Sequence, residues 1–186
     1  MHVDEVGGAG AGRAHGSFPA LGDRARARGL AVRPIAEGDT EFLAELYAST
    51  RREEMAPVPW SEAEKEAFLR QQFEAQHRHY QQHYADAQFL VLERFGTGIG
   101  RLYLHLREDE VRLVDIALLP QQRGNGVGTA VLEDLLESAS ARGLAVRIHV
   151  EANNPAKTLY ERLGFCERDH NGVYRLMEWR SPGEPA

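Results

Sequence analysis

The chain has 186 residues, of which 42% are hydrophobic and 27% charged, as is typical of one soluble domain with an apolar core. Its formal net charge of −6 argues against nucleic acid and anionic membrane surfaces as main partners. A single cysteine excludes an internal disulfide and fits a reducing compartment, so we expect a cytoplasmic protein.

The first 29 residues are expected to form a flexible tail. Residues 7–12 are all glycine or alanine, which is linker composition, and Arg24, Arg26 and Arg28 add a small basic cluster. The chain has no apolar run of about 18 residues, so no membrane span is expected. An ordered domain is therefore expected over residues 30–180, followed by a short C-terminal tail over residues 181–186.

The sequence of the first half of this domain predicts one strand, two helices and three further strands. Residues 30–35 form the first strand, and Asp39 or Thr40 can cap the helix that follows. The second helix begins at Ser61, which forms a capping box with Glu64. Further strands are predicted over residues 88–93, 99–106 and 111–119.

The sequence of the second half of the domain predicts a helix, a strand, a short helix and a hairpin. These cover residues 128–141, 144–150, 155–163 and 165–179, and the hairpin turns at Asn171 and Gly172. The order is therefore β-α-α-β-β-β-α-β-α-β-β. It predicts an α/β fold with a mixed, mostly antiparallel twisted sheet of about seven strands, flanked by about four helices.

A glycine-rich turn joins the strand at residues 111–119 to the next helix. Gly124, Gly126 and Gly128 alternate there, and such a turn directs the free amides of a helix N-terminus at phosphate. A Walker loop is excluded because the chain's only lysines, Lys65 and Lys157, lie elsewhere. The spacing also departs from the dinucleotide fingerprint Gly-x-Gly-x-x-Gly. A tight strand-to-helix connection without a ligand is the alternative.

Two segments together carry a resemblance to a known family. The motif Arg123-x-x-Gly126-x-Gly128 is followed by Asn153-x-x-Ala156-x-x-x-Tyr160 and a Gly-Phe pair. This combination resembles the GNAT superfamily of acetyl-CoA-dependent N-acetyltransferases. The predicted element order agrees with that fold from about residue 30 to residue 179. The resemblance implies a sheet that is split at an acetyl-CoA slot.

The resemblance also implies which residues bind the donor. Backbone N–H groups of the glycine loop would bind the pyrophosphate of coenzyme A, and the pantetheine arm would lie along the preceding strand. The implied loop residues are Arg123, Gly124, Asn125, Gly126, Val127, Gly128 and Thr129. The implied strand residues are Ile116, Ala117 and Leu118, and the Leu118 N–H would hold the developing oxyanion. Asn153 would hydrogen-bond the arm, for which Ala156 leaves room.

Acid and base groups are the candidate catalytic residues. By the resemblance, Tyr160 would protonate the departing thiolate, and the alternative is a tyrosine that only packs on the sheet. The family does not determine the base, so the residues themselves suggest it. Asp115, an acid inside an apolar strand, is the first candidate, although it could instead face solvent or pair with an arginine. Glu151, at the end of the next strand, is the second.

The acceptor site is expected near the first two helices and the middle hairpin. Acids and aromatics there could hold an amine, and the alternative is core aromatics and solvated acids. The candidates are Glu54, Trp60, Phe73, Tyr103 and Asp115. No metal is expected, because His79 and His83 lack an obvious third ligand.

The predicted function is transfer of acetyl from acetyl-CoA to a primary amine of a small molecule or a protein. No cysteine lies at a transfer position, so direct attack in a ternary complex is expected. Two alternatives remain open: a regulatory module that binds acyl-CoA without catalysis, and a transferase that uses another short acyl-CoA. The resemblance is compatible with a homodimer.

Overall fold

Strands and helices follow the predicted order, with one additional short helix before the first strand. The computed structural model describes residues 21–183. The strands are β1 (Leu30–Pro34), β2 (Gln88–Arg94), β3 (Thr97–Leu106), β4 (Glu110–Leu118), β5 (Ala145–Glu151), β6 (Cys166–Asn171) and β7 (Tyr174–Trp179). The helices are α1 (Asp23–Arg26), α2 (Thr40–Met55), α3 (Glu62–His83), α4 (Val127–Ser140) and α5 (Lys157–Arg162).

The seven strands form one mixed sheet, which confirms the predicted fold class. Their order is β1-β2-β3-β4-β5-β7-β6, and every neighbouring pair is antiparallel except β4 and β5. A parallel pair needs a long crossover connection, and α4 supplies it here. Among residues 21–183 no helix is both long and apolar enough to cross a bilayer.

Helices cover both faces of the sheet. On one face, Leu102, Leu104 and Leu113 belong to a large apolar cluster with α4 and with Tyr160 of α5. Strand residues alternate between faces, so Arg101 and Tyr103 point to the opposite face, which α2 and α3 cover. The second face therefore combines a small apolar cluster with buried polar groups.

The predicted capping box at the start of α3 is present. The Glu64 N–H donates to Ser61 Oγ at 3.3 Å, and the Ser61 N–H donates to Glu64 Oε2 at 2.8 Å. The two side chains satisfy donors that the first turn of a helix leaves free. Burial of Leu69 and Phe73 then holds one side of α3 against the fold.

The segment of residues 21–29 packs against α4, whereas the sequence suggested a tail up to residue 29. Leu21 and Ala25 are buried in the large apolar cluster. Asp134 of α4, 1% exposed, accepts the backbone N–H groups of Gly22 and Ala25, each at 2.9 Å, and caps α1. Residues 1–20 of the expected tail lie outside the described residues.

A bulge in β4 changes the direction of its side chains. Tyr103 of β3 pairs with Asp115, but the adjacent Leu104 pairs with Leu113, so Val114 is an extra residue. Since side chains alternate along a strand, the extra residue moves Asp115 to the α3 side of the sheet. Ile116 joins Leu113 on the α4 side, where it packs against the large cluster.

Gly100 of β3 pairs with Leu118 of β4. A β-carbon on Gly100 would lie 2.3 Å from the carbonyl oxygen of Ala117 and 2.8 Å from Leu118 Cδ2. The first contact is with backbone, which cannot rotate away. Glycine is therefore required if residues 117 and 118 are to stay in register with β3.

We expect Gly100→Ala to destabilise the fold by about 1–3 kcal/mol, as overpacking typically does. Urea unfolding measures the loss. Gly38→Ala is the matched control, because a β-carbon there meets nothing within 4 Å. Equal stability of Gly100→Ala and wild type would contradict the close approach of β3 and β4.

A second prediction concerns Asp39, just before α2. Arg33 lies 2.7 Å from its carboxylate, and the hydrogen bonds from Arg33 lower the pKa of Asp39 to about 2. A lowered pKa stabilises the fold above the unfolded value near pH 4, and this stability is lost as the pH falls toward 2. We expect the pair to contribute about 1 kcal/mol to the free energy of unfolding, because Arg33 is partly exposed and solvent screens the interaction.

Unfolding free energy measured from pH 5 to pH 2 tests this contribution. Asp39→Asn should flatten the loss of stability between pH 4 and pH 2, since asparagine does not titrate. Glu37→Gln, on the same turn, is the control and should leave the slope unchanged. A slope identical in wild type and Asp39→Asn would exclude the contribution of this pair.

Candidate active site

The sheet opens between β4 and β5 at one end. The two strands pair from Glu110 with Ala145 to Leu113 with Ile148, and the pairing ends there. Residues 115–118 continue beyond it and pair only with β3, and residues 149–151 pair only with β7. The bulge at Val114 lies at the point of separation. The result is a slot between two strand edges.

The backbone of β4 presents N–H groups to this slot. The Leu119 N–H donates to the Ile99 carbonyl oxygen of β3 at 2.9 Å. Backbone groups of an antiparallel pair point alternately toward and away from the partner strand. The N–H groups of Ile116 and Leu118 therefore point away from β3, toward the slot. The Ala117 backbone faces β3 instead.

The glycine loop connects the slot to the N-terminus of α4. Gly124 and Gly126 both have a φ of +73°, a conformation that residues with a β-carbon rarely adopt. The Arg123 Nε donates to the Leu118 carbonyl oxygen at 2.9 Å and so attaches the loop to β4. The free amides of the first turn and the helix dipole make this end of α4 attractive to anions. This cradle fits a phosphate group.

The opposite wall of the slot is formed by α5 and the residues before it. The Asn154 side chain accepts the Ala156 N–H at 2.9 Å and shapes the entry to the helix, while Asn153 is exposed. Gly128 of α4 lies beside both Leu159 and Leu118, whose methyl groups are 3.7 and 3.8 Å from the position of a β-carbon on that glycine. The first turns of α4 and α5 thus pack beside the slot.

Tyr160 of α5 is enclosed beside β4. It is 3% exposed and its ring meets Phe165 edge-on, at 5.5 Å between centroids. Burial raises the pKa of Tyr160 above its usual range, and the negative charge of Asp115 adds to the rise. The hydroxyl therefore keeps its proton at neutral pH and can act as a hydrogen-bond donor.

Asp115 is not a free carboxylate in this structure. Its Oδ2 lies 2.6 Å from the Arg101 guanidinium, which is almost fully buried and also donates to Gln76 at 3.0 Å. Burial and Asp115 together raise the pKa of Tyr80. Of the two alternatives from the sequence, the arginine pair is the one observed. The ion pair with Arg101 already occupies this carboxylate, which weighs against Asp115 as the base.

Glu151 and Glu54 lie on either side of one arginine. Arg51 of α2 reaches Glu151 at the end of β5, with 3.5 Å between Nη2 and Oε1, and its Nη1 lies 3.0 Å from Glu54. Both carboxylates are partly exposed, so a solvent path to them exists. The structure thus brings together one candidate base and one candidate acceptor residue that are far apart in sequence.

Two of the aromatic acceptor candidates are enclosed in the fold. Phe73 packs between α2 and α3 and stacks on His77, and Tyr103 is fully buried beneath Phe89. Neither presents an exposed surface in this structure, and a contact of either residue with an acceptor stays a prediction. Trp60 differs, since it is 44% exposed beside Phe68 in the loop after α2.

Three arginines belong to this region although no sequence motif of the site includes them. Arg101 holds Asp115, Arg51 joins two carboxylates, and Arg28 reaches the glycine loop. Each pairs with a group 14 to 100 positions away in the chain. Local patterns carry no signal for such pairs. Among residues 21–183, no group of three potential metal ligands occurs.

Comparison with known proteins agrees with this architecture. Residues 43–165 match the model of the Acetyltransferase (GNAT) family. The chain is 27% identical over 138 residues to a Bacillus subtilis (strain 168) protein provisionally named ribosomal protein bS18 alanine N-acetyltransferase, an alignment that covers 73% of this chain and 80% of that protein.

Two further comparisons cover different lengths. The ribosomal protein bS18 alanine N-acetyltransferase of Escherichia coli (strain K12) is 43% identical over 61 residues, which are 32% of this chain and 41% of that enzyme. The Thermoplasma acidophilum PaiA N-acetyltransferase, solved with coenzyme A, superposes with a TM-score of 0.62 at 22% identity, covering 82% and 99% of the two chains. Because the family model spans well over half of the sequence, the chain belongs to the GNAT acetyltransferase family.

Proposed function

We propose that this enzyme transfers the acetyl group of acetyl-CoA to the N-terminal amine of a protein or peptide. The observation that carries the proposal is the convergence of two features at the slot. The glycine cradle at the start of α4 fits a phosphate, and the Leu118 N–H points into the adjacent opening. A phosphate site next to a strand edge suits the phosphate, pantetheine and thioester of coenzyme A in sequence.

The glycine loop and the edges of the slot would bind different parts of the donor. Amides between Arg123 and Thr129 would take the pyrophosphate, helped by the dipole of α4. Residues 116–118 would pair with the amides of the pantetheine arm as a neighbouring strand would. Asn153 and Ala156 stay proposed contacts on the opposite wall. The arm would fill the opening that the end of the β4–β5 pairing leaves.

The Leu118 N–H is the group we assign to the thioester carbonyl. Attack by an amine places negative charge on that carbonyl oxygen, and a donor aimed at it lowers the barrier. One such donor contributes roughly 2.7–4 kcal/mol in well-studied enzymes. The link from Arg123 to the Leu118 carbonyl supports the role, because it restrains the backbone of Leu118 before substrate binds.

In this reaction the attacking nitrogen must lose a proton and the departing sulfur must gain one. A neutral amine attacks the carbonyl carbon, the new C–N bond forms, and the C–S bond breaks with its electrons on sulfur. The nitrogen must then lose a proton while the thiolate gains one. Tyr160, whose phenol is protonated at neutral pH, would donate a hydrogen bond to the departing sulfur.

Glu151 is the base that we now favour over Asp115. Its carboxylate is partly exposed and lies 3.5 Å from Arg51, so water and an incoming amine can reach it. Together with Glu54 it also supplies negative charge near the mouth of the slot, which would attract a protonated amine. Trp60 is the one aromatic candidate that keeps an exposed face for the acceptor.

An N-terminal amine is the acceptor that needs least help from a base. Its pKa of about 7.7–8.0 leaves a sizeable neutral fraction at physiological pH, whereas a lysine side chain near 10.4 is almost entirely charged. The two bacterial relatives are named for acetylation of an alanine on a ribosomal protein. A protein acceptor of this kind supports a cytoplasmic location, as does the free, exposed Cys166. A small-molecule amine is the second candidate from the sequence.

An acceptor panel tests the function. Purified enzyme with acetyl-CoA would be given a peptide with a free N-terminal alanine, the same peptide N-acetylated but carrying a lysine, and a small diamine, with release of free thiol recorded. We expect turnover with the first peptide to exceed the others at least tenfold. Turnover with the diamine alone would contradict a protein acceptor, and no binding of coenzyme A would contradict the donor site.

Tyr160→Phe tests the role of the phenol. We expect kcat to fall roughly 10²-fold, within the usual range for loss of a general acid, while the dissociation constant of coenzyme A changes little. Tyr84→Phe is a matched control, because Tyr84 packs against Tyr80 and His105 on the other side of the sheet. If both variants keep wild-type kcat, Tyr160 has no catalytic role.

A further inference from the structure

The segment before β1 brings an arginine to the phosphate cradle. Asp134 caps α1 and holds the segment on α4, so the chain from residue 27 to residue 29 passes beside the start of that helix. The Arg28 Nη1 lies 3.4 Å from the Asn125 carbonyl oxygen of the loop. Its guanidinium nitrogens lie 3.5 and 3.6 Å from the position that a β-carbon on Gly126 would occupy.

Arg28 differs from the neighbouring arginines in its partners. Arg24 is surrounded by carboxylates of α4, at 3.7 Å from Glu133 and 3.4 Å from Asp134, and it also contacts Glu137. Within residues 21–183, no carboxylate lies within ion-pair distance of Arg28. Its contact with the Asn125 carbonyl is long for a hydrogen bond. The charge of Arg28 is therefore available to an anion.

An open cavity of about 490 Å³ lies between this segment and α4. Arg28, Gly126, Thr129 and Ala130 line the end of the cavity nearest the cradle, and Arg24, Ala27 and Glu133 line the rest. Two sources of positive potential meet at this end, the guanidinium of Arg28 and the free amides of the first turn of α4. The cavity continues the cradle outward from the slot.

We propose that Arg28 is a ligand for a phosphate of coenzyme A, so that the segment before β1 forms part of the donor site. This inference rests on the proposed function. Coenzyme A carries a pyrophosphate and a 3′-phosphate, and a chain with a net charge of −6 repels it at long range. A local cation is needed to offset that repulsion. The planar guanidinium can donate two parallel hydrogen bonds to one phosphate.

Binding of coenzyme A to three proteins tests the proposal by calorimetry. We expect Arg28→Gln to weaken binding roughly tenfold or more, as expected for the loss of a hydrogen-bonded charge. Arg26→Gln is the matched control, because Arg26 is an exposed arginine of the same segment whose nearest carboxylate, on Asp23, is 3.9 Å away. It should bind within twofold of wild type. Equal melting temperatures would show that both variants fold.

A second titration with 3′-dephospho-coenzyme A identifies the phosphate. If Arg28→Gln weakens only coenzyme A, Arg28 binds the 3′-phosphate; if it weakens both ligands equally, Arg28 binds the pyrophosphate. Either result supports the proposal. Unchanged affinity of Arg28→Gln for coenzyme A overturns it while leaving the proposed function intact. Absence of binding to the wild-type protein overturns the donor site itself, and this inference with it.

Discussion

The early end of the pairing between β4 and β5 is the constraint on which the rest of the site depends. Four residue pairs join the strands, and then the bulge at Val114 turns β4 away. A continuous parallel sheet would satisfy the N–H groups of residues 116 and 118 with β5 and leave no opening. Because the strands diverge, those groups stay available. The turn after β4 then delivers the N-terminus of α4 to the same place.

A network of ion pairs stabilises the end of the sheet at which β4 and β5 stay paired. The buried Glu110 of β4 accepts hydrogen bonds from Arg112 and from Arg147 of β5, and Arg147 in turn donates to Glu178 of β7 at 2.6 Å. This network joins three neighbouring strands across their closed end. Removal of one member of such a buried network typically costs several kcal/mol. The strands can therefore separate at the slot without separating along their whole length.

Local sequence patterns were sufficient to predict the order of elements. Apolar alternation, the Ser61 capping box and the alternating glycines depend only on residues that are close in sequence, so they are recognisable without the structure. Two of those glycines do adopt positive φ, as a tight turn into a helix requires. The seven strands and the four longer helices followed from the same kind of signal.

The features that local sequence patterns do not carry depend on long-range contacts or on a single extra residue. The bulge at Val114 reverses which face Asp115 occupies, and nothing in the local pattern marks it. The partner of Asp115 is an arginine on another strand, and the residue that anchors α1 is Asp134, more than 100 positions away. Linker-like composition over residues 7–12 favours a tail, whereas the anchoring of residues 21–29 depends on their contacts with α4.

The cap that Asp134 places on α1 has a consequence for the energetics of the enzyme. If Arg28 contributes to donor binding, docking of the first segment and loading of the donor are linked equilibria, and each must strengthen the other by the same factor. The amides of Gly22 and Ala25, which are protected only while the segment is docked, would then exchange hydrogen more slowly in the loaded enzyme. Hydrogen exchange in the segment before β1 would thus depend on whether the donor site is occupied.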